Sequence, residues 1–545
     1  MRLAEAARLW RTVRHLRREQ LIGRLWFRLH RPRPDTRPAP PLRARPGRWA
    51  EPAHREPAVL DDGRMSFLGE AHALPPGPDA WDDPRLERLW RYNLHYFDDL
   101  NALDAGARRA AHAALVARWI AENPPGHGTG WEPYPASLRI VNWIKWFLGG
   151  APAEPAWLDS LAAQVRWLGG RIEWHLLGNH LFVNAKALVM AGLFFDGPEA
   201  AGWRERGLAI LRREMPEQLL SDGGQFERSP MYHALALEDL LDLVNVAGTV
   251  AGGQALIGDM EPDCRRRATA ALRWLRCMSH PDGTLASFND SADGIAPAYA
   301  ELERYAAALG VPIAPRPGPL EHLQASGYVR QQSGCATLIA DVAPLGPDYL
   351  LGHAHADSLS FELSLGERRL LVNGGTSRYG LGEQRLRERG TASHNTVQLA
   401  GLDSSEVWSG FRVGRRARPF DLQVDAASII CSHDGYRFLP GQPVHRRRWA
   451  LQPGRLAVAD RVSTPGVPGV ARFRLAPGLR LQAERSNAWQ VKDSTRTVAY
   501  VEVLAGQGHL AASSHAPRFG TLLPTETLDV TLQEGHAHTV WTWDD

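Results

Sequence analysis

The spacing of apolar residues changes once along the chain. Between residues 80 and 310, apolar side chains recur at steps of three and four, as at Leu158, Leu161, Val165 and Leu168. This period is typical of amphipathic α-helices. Short breaks that contain Gly or Pro separate the periodic segments. The first half of the chain is therefore predicted to consist of many antiparallel helices joined by short loops.

In the second half the period becomes two. Phe361, Leu363 and Leu365 alternate with polar neighbours, and Val501 and Val503 do the same further on. Alternation over short segments separated by turn residues is typical of antiparallel strands in a large sandwich. Because helices come first and strands second, the predicted fold class is α+β with separate domains: an N-terminal (α/α) toroid followed by an antiparallel β-sandwich.

Proline-rich segments mark the expected domain boundaries. Residues 311–320 contain four prolines and are the best candidate for a linker. The predicted division is therefore a helical domain over 80–315 and a β-sandwich over 320–545. Residues 1–79 are assigned to a basic helix followed by a Pro/Arg-rich connector.

The N-terminal segment is predicted to be a basic amphipathic helix, with Leu9, Leu16, Ile22 and Leu25 set among arginines. It lacks the unbroken apolar core and the small-residue cleavage site of a signal peptide, so a cytoplasmic or inner-membrane-associated location is favoured over secretion. Such a helix can make weak contact with an acidic membrane surface, although packing on its own protein is the commoner outcome.

Composition is that of a globular protein. The chain has 545 residues, of which 44% are hydrophobic and 23% charged, with a formal net charge of +3. This balance is small for the length and gives no sign of a nucleic-acid partner. No apolar run is long enough to suggest a transmembrane helix. The oligomeric state is left open.

Two polar clusters interrupt the helical region. Asn179 and His180 follow Gly178 in an otherwise apolar segment, which suggests that they face a cavity. Further on, Ser229-Pro230 predicts a helix start. Glu227, Tyr232 and His233 cluster around that start, where backbone N–H groups are free. Taken alone, either cluster is also explained by helix capping and core packing.

A third cluster opens the β region. On an extended strand, His353, His355 and Asp357 would all project from one face. Two imidazoles at this spacing are good metal ligands or acid–base groups. Asn373 and His394 lie downstream in the segments LLVNGGTSRYG and TASHNTV.

Together these motifs resemble the heparinase II/III-like family of polysaccharide lyases. The similarity is carried by the Asn-His pair, by the Tyr after a Gly-rich turn, by H-x-H and by the later S-H-N-T. The segment WEPYPASLRIVNWIKW also resembles that family's helical domain. The likeness covers roughly residues 80 to 450. It implies cleavage of an acidic, uronate-containing polysaccharide or oligosaccharide by β-elimination.

The resemblance also implies roles for single residues. Asn179 matches the residue that neutralises the uronate carboxylate, with His180 as an assistant. Tyr232 and His353 match the catalytic tyrosine and histidine, and which of the two is the base stays open. Among the neighbouring charged residues, Arg139, Arg228 and Glu227 are candidates for substrate binding.

The same resemblance implies one structural zinc ion in the β domain. His355 and His394 match two of its ligands. Asn373 stands where family members commonly have an aspartate, and Asp357 is an alternative third ligand. A neutral amide is a poorer zinc ligand than a carboxylate.

Two other functions remain open at this stage. A glycoside hydrolase would need a pair of carboxylates, for which Glu227 with Glu238 or Asp239 is the best candidate. A non-catalytic protein that binds polysaccharide or assists its biosynthesis is the second alternative. It predicts that Tyr232→Phe retains full function.

Overall fold

The computed structural model describes residues 3–313 and 315–544. Met1, Arg2, Ala314 and Asp545 lie outside the described residues, although the sequence assigned them to the N-terminal helix, the linker and the β domain. From Arg88 to Ala308 the regular structure is helical, and strands dominate from Leu320 onward. The predicted fold class, a helical toroid followed by an antiparallel β-sandwich, is confirmed.

The helices form two layers. In the inner layer, α3 packs on α5, α5 on α7 and α7 on α9. Helices α4, α6 and α8 form the outer layer. The inner helix α7 is apolar around nearly its whole circumference and is buried accordingly. The helices are α1 (Leu3–Val13), α2 (Arg18–Leu29), α3 (Arg88–Tyr96), α4 (Arg109–Glu122), α5 (Pro133–Leu148), α6 (Pro155–Gly169), α7 (Gly178–Phe194), α8 (Pro198–Gln218), α9 (Pro230–Thr249), α10 (Gly253–Ile257), α11 (Met260–Cys277), α12 (Tyr299–Ala308) and α13 (Glu383–Arg389).

The strands form three larger sheets and two hairpins. The strands are β1 (Met65–Phe67), β2 (Glu70–His72), β3 (Leu320–Leu323), β4 (Tyr328–Ser333), β5 (Ala336–Asp341), β6 (Phe361–Leu365), β7 (Arg368–Leu371), β8 (Val397–Leu399), β9 (Val407–Trp408), β10 (Arg412–Val413), β11 (Pro419–Val424), β12 (Ser428–His433), β13 (His445–Gln452), β14 (Arg455–Val462), β15 (Gly469–Arg474), β16 (Arg480–Arg485), β17 (Ala488–Lys492), β18 (Thr497–Ala505), β19 (Gln507–His515), β20 (Leu523–Thr531) and β21 (His536–Thr542).

All named strand pairs in these sheets are antiparallel. The five-stranded sheet follows the order β3-β4-β5-β6-β7. The eight-stranded sheet runs β11-β12-β13-β14-β21-β18-β17-β16, and the four-stranded sheet runs β19-β20-β15-β8. Strand β18 alternates as predicted, with Ala499, Val501 and Val503 buried.

Strand β6 departs from the predicted alternation because both of its faces are buried. The five-stranded sheet lies between two cores. Ile339 on β5 packs with Trp274 of the helical domain. Its neighbour Leu338 faces the opposite way and packs with Phe361 in the sandwich core. This sheet therefore joins the two domains and fixes the position of the loops between its strands.

The N-terminal segment contains two helices, where the sequence predicted one. The helix breaks between Val13 and Arg18, so that α1 packs on the β domain while α2 contacts both domains. From α1, Arg11 pairs with Glu406 of the β domain. From α2, Phe27 stacks on His175 of the helical domain. Within the described chain, no helix has both the length and the apolar character needed to cross a bilayer.

Candidate active site

A cleft of about 1400 Å³ opens where the two domains meet. Its wall includes Asn179, His180 and Tyr232 from the helical domain and His353 from the β domain. Helices α1 and α2 complete one side of it. Three clusters that are far apart in sequence therefore share one cavity.

Asn179 lies in the first turn of α7. The chain enters the helix through two left-handed residues, Leu177 with φ 62° and Gly178 with φ 52°. The positive φ of Gly178 strains any other residue, and a Cβ atom there would also come within 2.3 Å of the Leu350 side chain, so glycine is favoured at this position. This turn aims Asn179 into the cleft, where its Nδ2 donates to the Tyr134 hydroxyl at 3.2 Å.

His180 is held by a carboxylate. Its Nδ1 lies 3.2 Å from Glu173 Oε2, and its ring stacks on Tyr134 with centroids 4.5 Å apart. Burial disfavours the charged imidazole, but the Glu173 carboxylate outweighs it, so the pKa of His180 is raised. A protonated His180 beside Asn179 would add positive charge where a substrate carboxylate could bind.

Tyr232 is placed by a helix cap. The Ser229 hydroxyl accepts from the Tyr232 backbone N–H at 3.3 Å, and Pro230 occupies the first position of α9. The sequence predicted this start correctly. The Tyr232 ring lies against His353, with centroids 4.0 Å apart. Burial and two neighbouring tyrosines raise the pKa of Tyr232 well above its usual value, so the phenol keeps its proton at neutral pH.

The histidine motif lies on a loop, not on the strand that the sequence predicted. Residues 353–357 fall between β5 and β6 and have no strand partners. The two imidazoles nevertheless meet, because both reach the carboxylate of Asp290. His353 Nδ1 donates to Oδ2 at 2.8 Å, and His355 Nε2 lies 2.9 Å from Oδ1. Asp357 accepts from the Asn289 backbone instead.

Asp290 is the residue that sequence reasoning missed. Besides the two histidines, its carboxylate accepts from both terminal nitrogens of Arg385, one of them at 2.7 Å. Asp290 and Arg385 are both fully buried. Burial alone would raise the pKa of Asp290, but Arg385 and the two histidines hold it well below its usual range. An ionised Asp290 fixes the His353 tautomer so that Nε2 is the free nitrogen on the cleft side.

Glu227 connects the two sides of the cleft. Its Oε2 lies 3.8 Å from His353 Nε2, and its Oε1 accepts from Gln225 at 3.2 Å. A Cβ on Gly178 would be 3.3 Å from Oε1, so the carboxylate also lies beside the Asn179 turn. The structure thus places Glu227 within reach of anything held between Asn179 and His353.

The structure contradicts the predicted substrate-binding role of two arginines. Arg139 is fully buried inside the helical domain, where it donates to Gln164 and to the His95 carbonyl. Arg228 donates to the carbonyls of Ser326 and Pro344, and so ties the Gly-rich turn to the β domain. Neither lines the cleft. Residue type and sequence position suggested anion binding, but the fold keeps both guanidinium groups away from the cleft.

Two tyrosines in the cleft lie within the sequence motifs above, although the motifs predicted no role for them. Tyr134 lies under Asn179 and His180, and the Tyr379 hydroxyl lies 3.0 Å from that of Tyr232. Burial is the largest cause that raises the pKa of both phenols. The only sequence signal was their position inside the motifs, because a tyrosine in an apolar context is more often a core residue.

The proposed metal ligands lie together but do not complete a zinc site. The rings of His355 and His394 are buried with centroids 5.2 Å apart. Among the described residues, His355 Nδ1 and both ring nitrogens of His394 have no hydrogen-bond partner. The amide oxygen of Asn373 is already occupied by the Asn395 N–H at 3.0 Å. Within residues 3–313 and 315–544, no three His, Cys, Asp or Glu side chains form a metal-binding group.

Sequence comparison assigns both halves of the chain. Residues 104–308 match the heparinase II/III N-terminus and residues 315–544 match the heparinase II/III-like C-terminal region. A heparin-sulfate lyase from Bacteroides stercoris is 32% identical over 127 residues, which is 22% of this chain and 18% of that protein. Another from Bacteroides thetaiotaomicron is 28% identical over 188 residues, or 32% of this chain and 27% of that protein. These matches span less than a third of the relatives' length.

Comparison of folds extends over more of the chain. A heparinase III crystal structure superposes with a TM-score of 0.65 at 16% identity, covering 97% of this chain and 86% of that one. A heparan sulfate lyase from Pedobacter heparinus gives a TM-score of 0.57 at 16% identity, covering 96% and 88%. The two family models together match residues 104–308 and 315–544, which is most of the chain, and the fold is that of the solved heparinase structures. The chain belongs to the heparinase II/III-like family.

Proposed function

We propose that this protein is a polysaccharide lyase that cleaves a uronate-containing acidic polysaccharide by β-elimination. The observation that carries the proposal is the meeting of Asn179, Tyr232 and His353 in one cleft. Elimination acts on adjacent atoms of one sugar, so the groups that neutralise the carboxylate, remove the proton and protonate the leaving oxygen must lie close together. The heparin-sulfate lyases that resemble parts of this chain support the same reaction class.

The reaction divides among these residues. Asn179 and protonated His180 hydrogen-bond the uronate carboxylate and stabilise the charge that develops on it. His353 Nε2 removes the C5 proton, whose bonding electrons form the C4–C5 double bond as the C4–O bond breaks. Tyr232 gives its phenolic proton to the leaving oxygen. Asp290 stabilises the imidazolium that forms on His353, because it accepts from the opposite ring nitrogen.

The charge of the cleft favours a substrate of low charge density. Its lining carries eleven acidic side chains (six Glu and five Asp) and eleven basic ones (nine Arg and two Lys). A heavily sulfated chain would need an excess of basic groups to replace its counterions. A polymer with one carboxylate per uronate and little sulfate fits this balance better.

We expect the protein to release unsaturated uronate products, measured by ultraviolet absorbance, from at least one uronate polymer. Hyaluronan, unsulfated heparosan, alginate and heparin form a suitable panel. Unsulfated polymers should be cut at least about tenfold faster than heparin, since the lining offers at most one net positive charge when His180 is protonated. Faster cleavage of heparin would contradict the proposed substrate class but not the reaction. Chain shortening without absorbance would contradict the reaction itself.

A glycoside hydrolase is less well supported. Its best carboxylate partners for Glu227 were Glu238 and Asp239, and both are held in ion pairs. Glu238 lies 3.0 Å from Lys145, and Asp239 lies 2.6 Å from Lys186. A hydrolase needs a second carboxylate that is free to act as acid or base, and both of these carboxylates are instead paired with a lysine.

We propose that His355 and His394 bind zinc weakly, because the third position offers an amide. We expect about one zinc per chain in zinc-containing buffer, lost on dialysis against a chelator without unfolding. His394→Ala should abolish uptake. Asn373→Asp should retain zinc against the chelator, since a carboxylate is the better ligand. Failure of both the parent protein and Asn373→Asp to take up zinc would leave the histidines as a structural pair.

A further inference from the structure

Helix α2 exposes its apolar side to solvent. Leu21, Ile22, Leu25 and Leu29 are 52%, 68%, 62% and 76% exposed, and Trp26 is 41% exposed. Their spacing of one, four and eight residues puts them on one face of the helix. We call these five residues the α2 apolar face. A patch of large exposed aliphatic side chains on a single helix marks an interaction surface.

The orientation of α2 is fixed by contacts on its opposite side. Gln20 donates to the Tyr349 carbonyl at 3.2 Å. Gly23 approaches His175 so closely that a Cβ would lie 3.0 Å from its backbone nitrogen. Phe27 stacks on His175 with centroids 4.3 Å apart. These three contacts hold the opposite side of the helix against the protein, so the apolar face points away from it.

Positive charge surrounds this face. Residues 3–33 contain nine arginines and two glutamates. Arg8, Arg11 and Arg17 pair with carboxylates, but within the described chain the other six arginines of this segment are exposed and form no salt bridge. These six are Arg14, Arg18, Arg24, Arg28, Arg31 and Arg33.

We propose that the α2 apolar face binds a membrane surface that contains anionic phospholipid. A helix that lies in the headgroup region needs aliphatic side chains on one face and cationic side chains at its borders, which is the arrangement here. Tryptophan at the edge of the face suits the same boundary. A second copy of the chain is a poorer occupant, because pairing two such faces would bring their arginines together.

Membrane binding through α2 would also fix the position of the cleft relative to the lipid surface. Gln20, Arg24 and Phe27 of α2 line the cleft from the side opposite the apolar face. Helix α2 would therefore lie between the lipid surface and the cleft. This placement is independent of the reaction, since none of the residues of the α2 apolar face lines the cleft.

Co-sedimentation with vesicles tests the proposal on the full chain. We expect binding to vesicles of equal parts phosphatidylcholine and phosphatidylglycerol, and binding at least about tenfold weaker to phosphatidylcholine alone. High salt should weaken the binding. The combined substitutions Ile22→Ser, Leu25→Ser and Leu29→Ser should lower the partition coefficient more than about tenfold. Turnover of a soluble oligosaccharide should stay unchanged.

A matched control replaces three exposed leucines of the β domain. Leu504, Leu510 and Leu522 are 53%, 46% and 47% exposed, and their triple substitution by serine should leave vesicle binding intact. Equal loss in both triple variants, or no binding of the parent protein at low salt, would overturn the proposal. A dimer in lipid-free buffer that the α2 substitutions dissociate would assign the face to a second copy of the chain instead.

Discussion

Tyr232→Phe should lower the rate of elimination by about 10²–10⁴-fold while leaving the fold intact. The substitution removes one hydroxyl, which contacts Tyr379 at 3.0 Å, and keeps the ring that stacks on His353. The loss follows because the leaving oxygen would have no proton donor. Initial rates by product absorbance, with kcat and KM separated, measure the effect. We expect kcat to fall and KM to change little, since protonation develops in the transition state.

Tyr500→Phe is the matched control, because Tyr500 lies on β18 and is 44% exposed. It should keep full activity and the same melting temperature. If Tyr232→Phe also kept full activity, the acid would have to be another group, and the proposed division of roles would be wrong. A non-catalytic binding protein predicts that same unchanged result in every functional assay.

The sequence was sufficient for the architecture because the two periods reflect local backbone geometry. Cβ atoms on one face of a helix are three or four residues apart, and those on one face of a strand are two residues apart. The exception is β6. Its alternating sequence predicted one exposed face, but both faces are buried. The second face of β6 carries Glu362 and Ser364, and both contact His280, which follows a helix distant in sequence.

The site was only partly predictable. Asn179, Tyr232 and His353 carry polar chemistry at helix starts or inside a family motif, so each left a local signal. Asp290 left none, because the segment SFNDSADG looks like an ordinary turn. Its importance depends on the fold, which brings His353 and Arg385 to one buried carboxylate. Arg139 misled for the same reason, since only the fold shows that its side chain is buried away from the cleft.

Asp290→Ala should lower the free energy of unfolding by about 3–5 kcal/mol, because it leaves the buried guanidinium of Arg385 without a counter-ion. Chemical denaturation monitored by tryptophan fluorescence measures the change. Asp83→Ala is the matched control. Asp83 pairs with Arg85 on the surface, and its loss should leave stability nearly unchanged.

A second variant separates stability from positioning. Asp290→Asn combined with Arg385→Met removes both charges, so most of the lost stability should return. Turnover should nevertheless stay at least about 10²-fold below the parent, because a neutral amide stabilises the imidazolium of His353 less than a carboxylate and does not enforce its tautomer. The loss should appear in kcat more than in KM, since Asp290 lies behind His353 and does not line the cleft. Recovery of both stability and turnover would show that Asp290 acts only as the counter-ion of Arg385, and the orientation of His353 would then have to come from its packing against Tyr232.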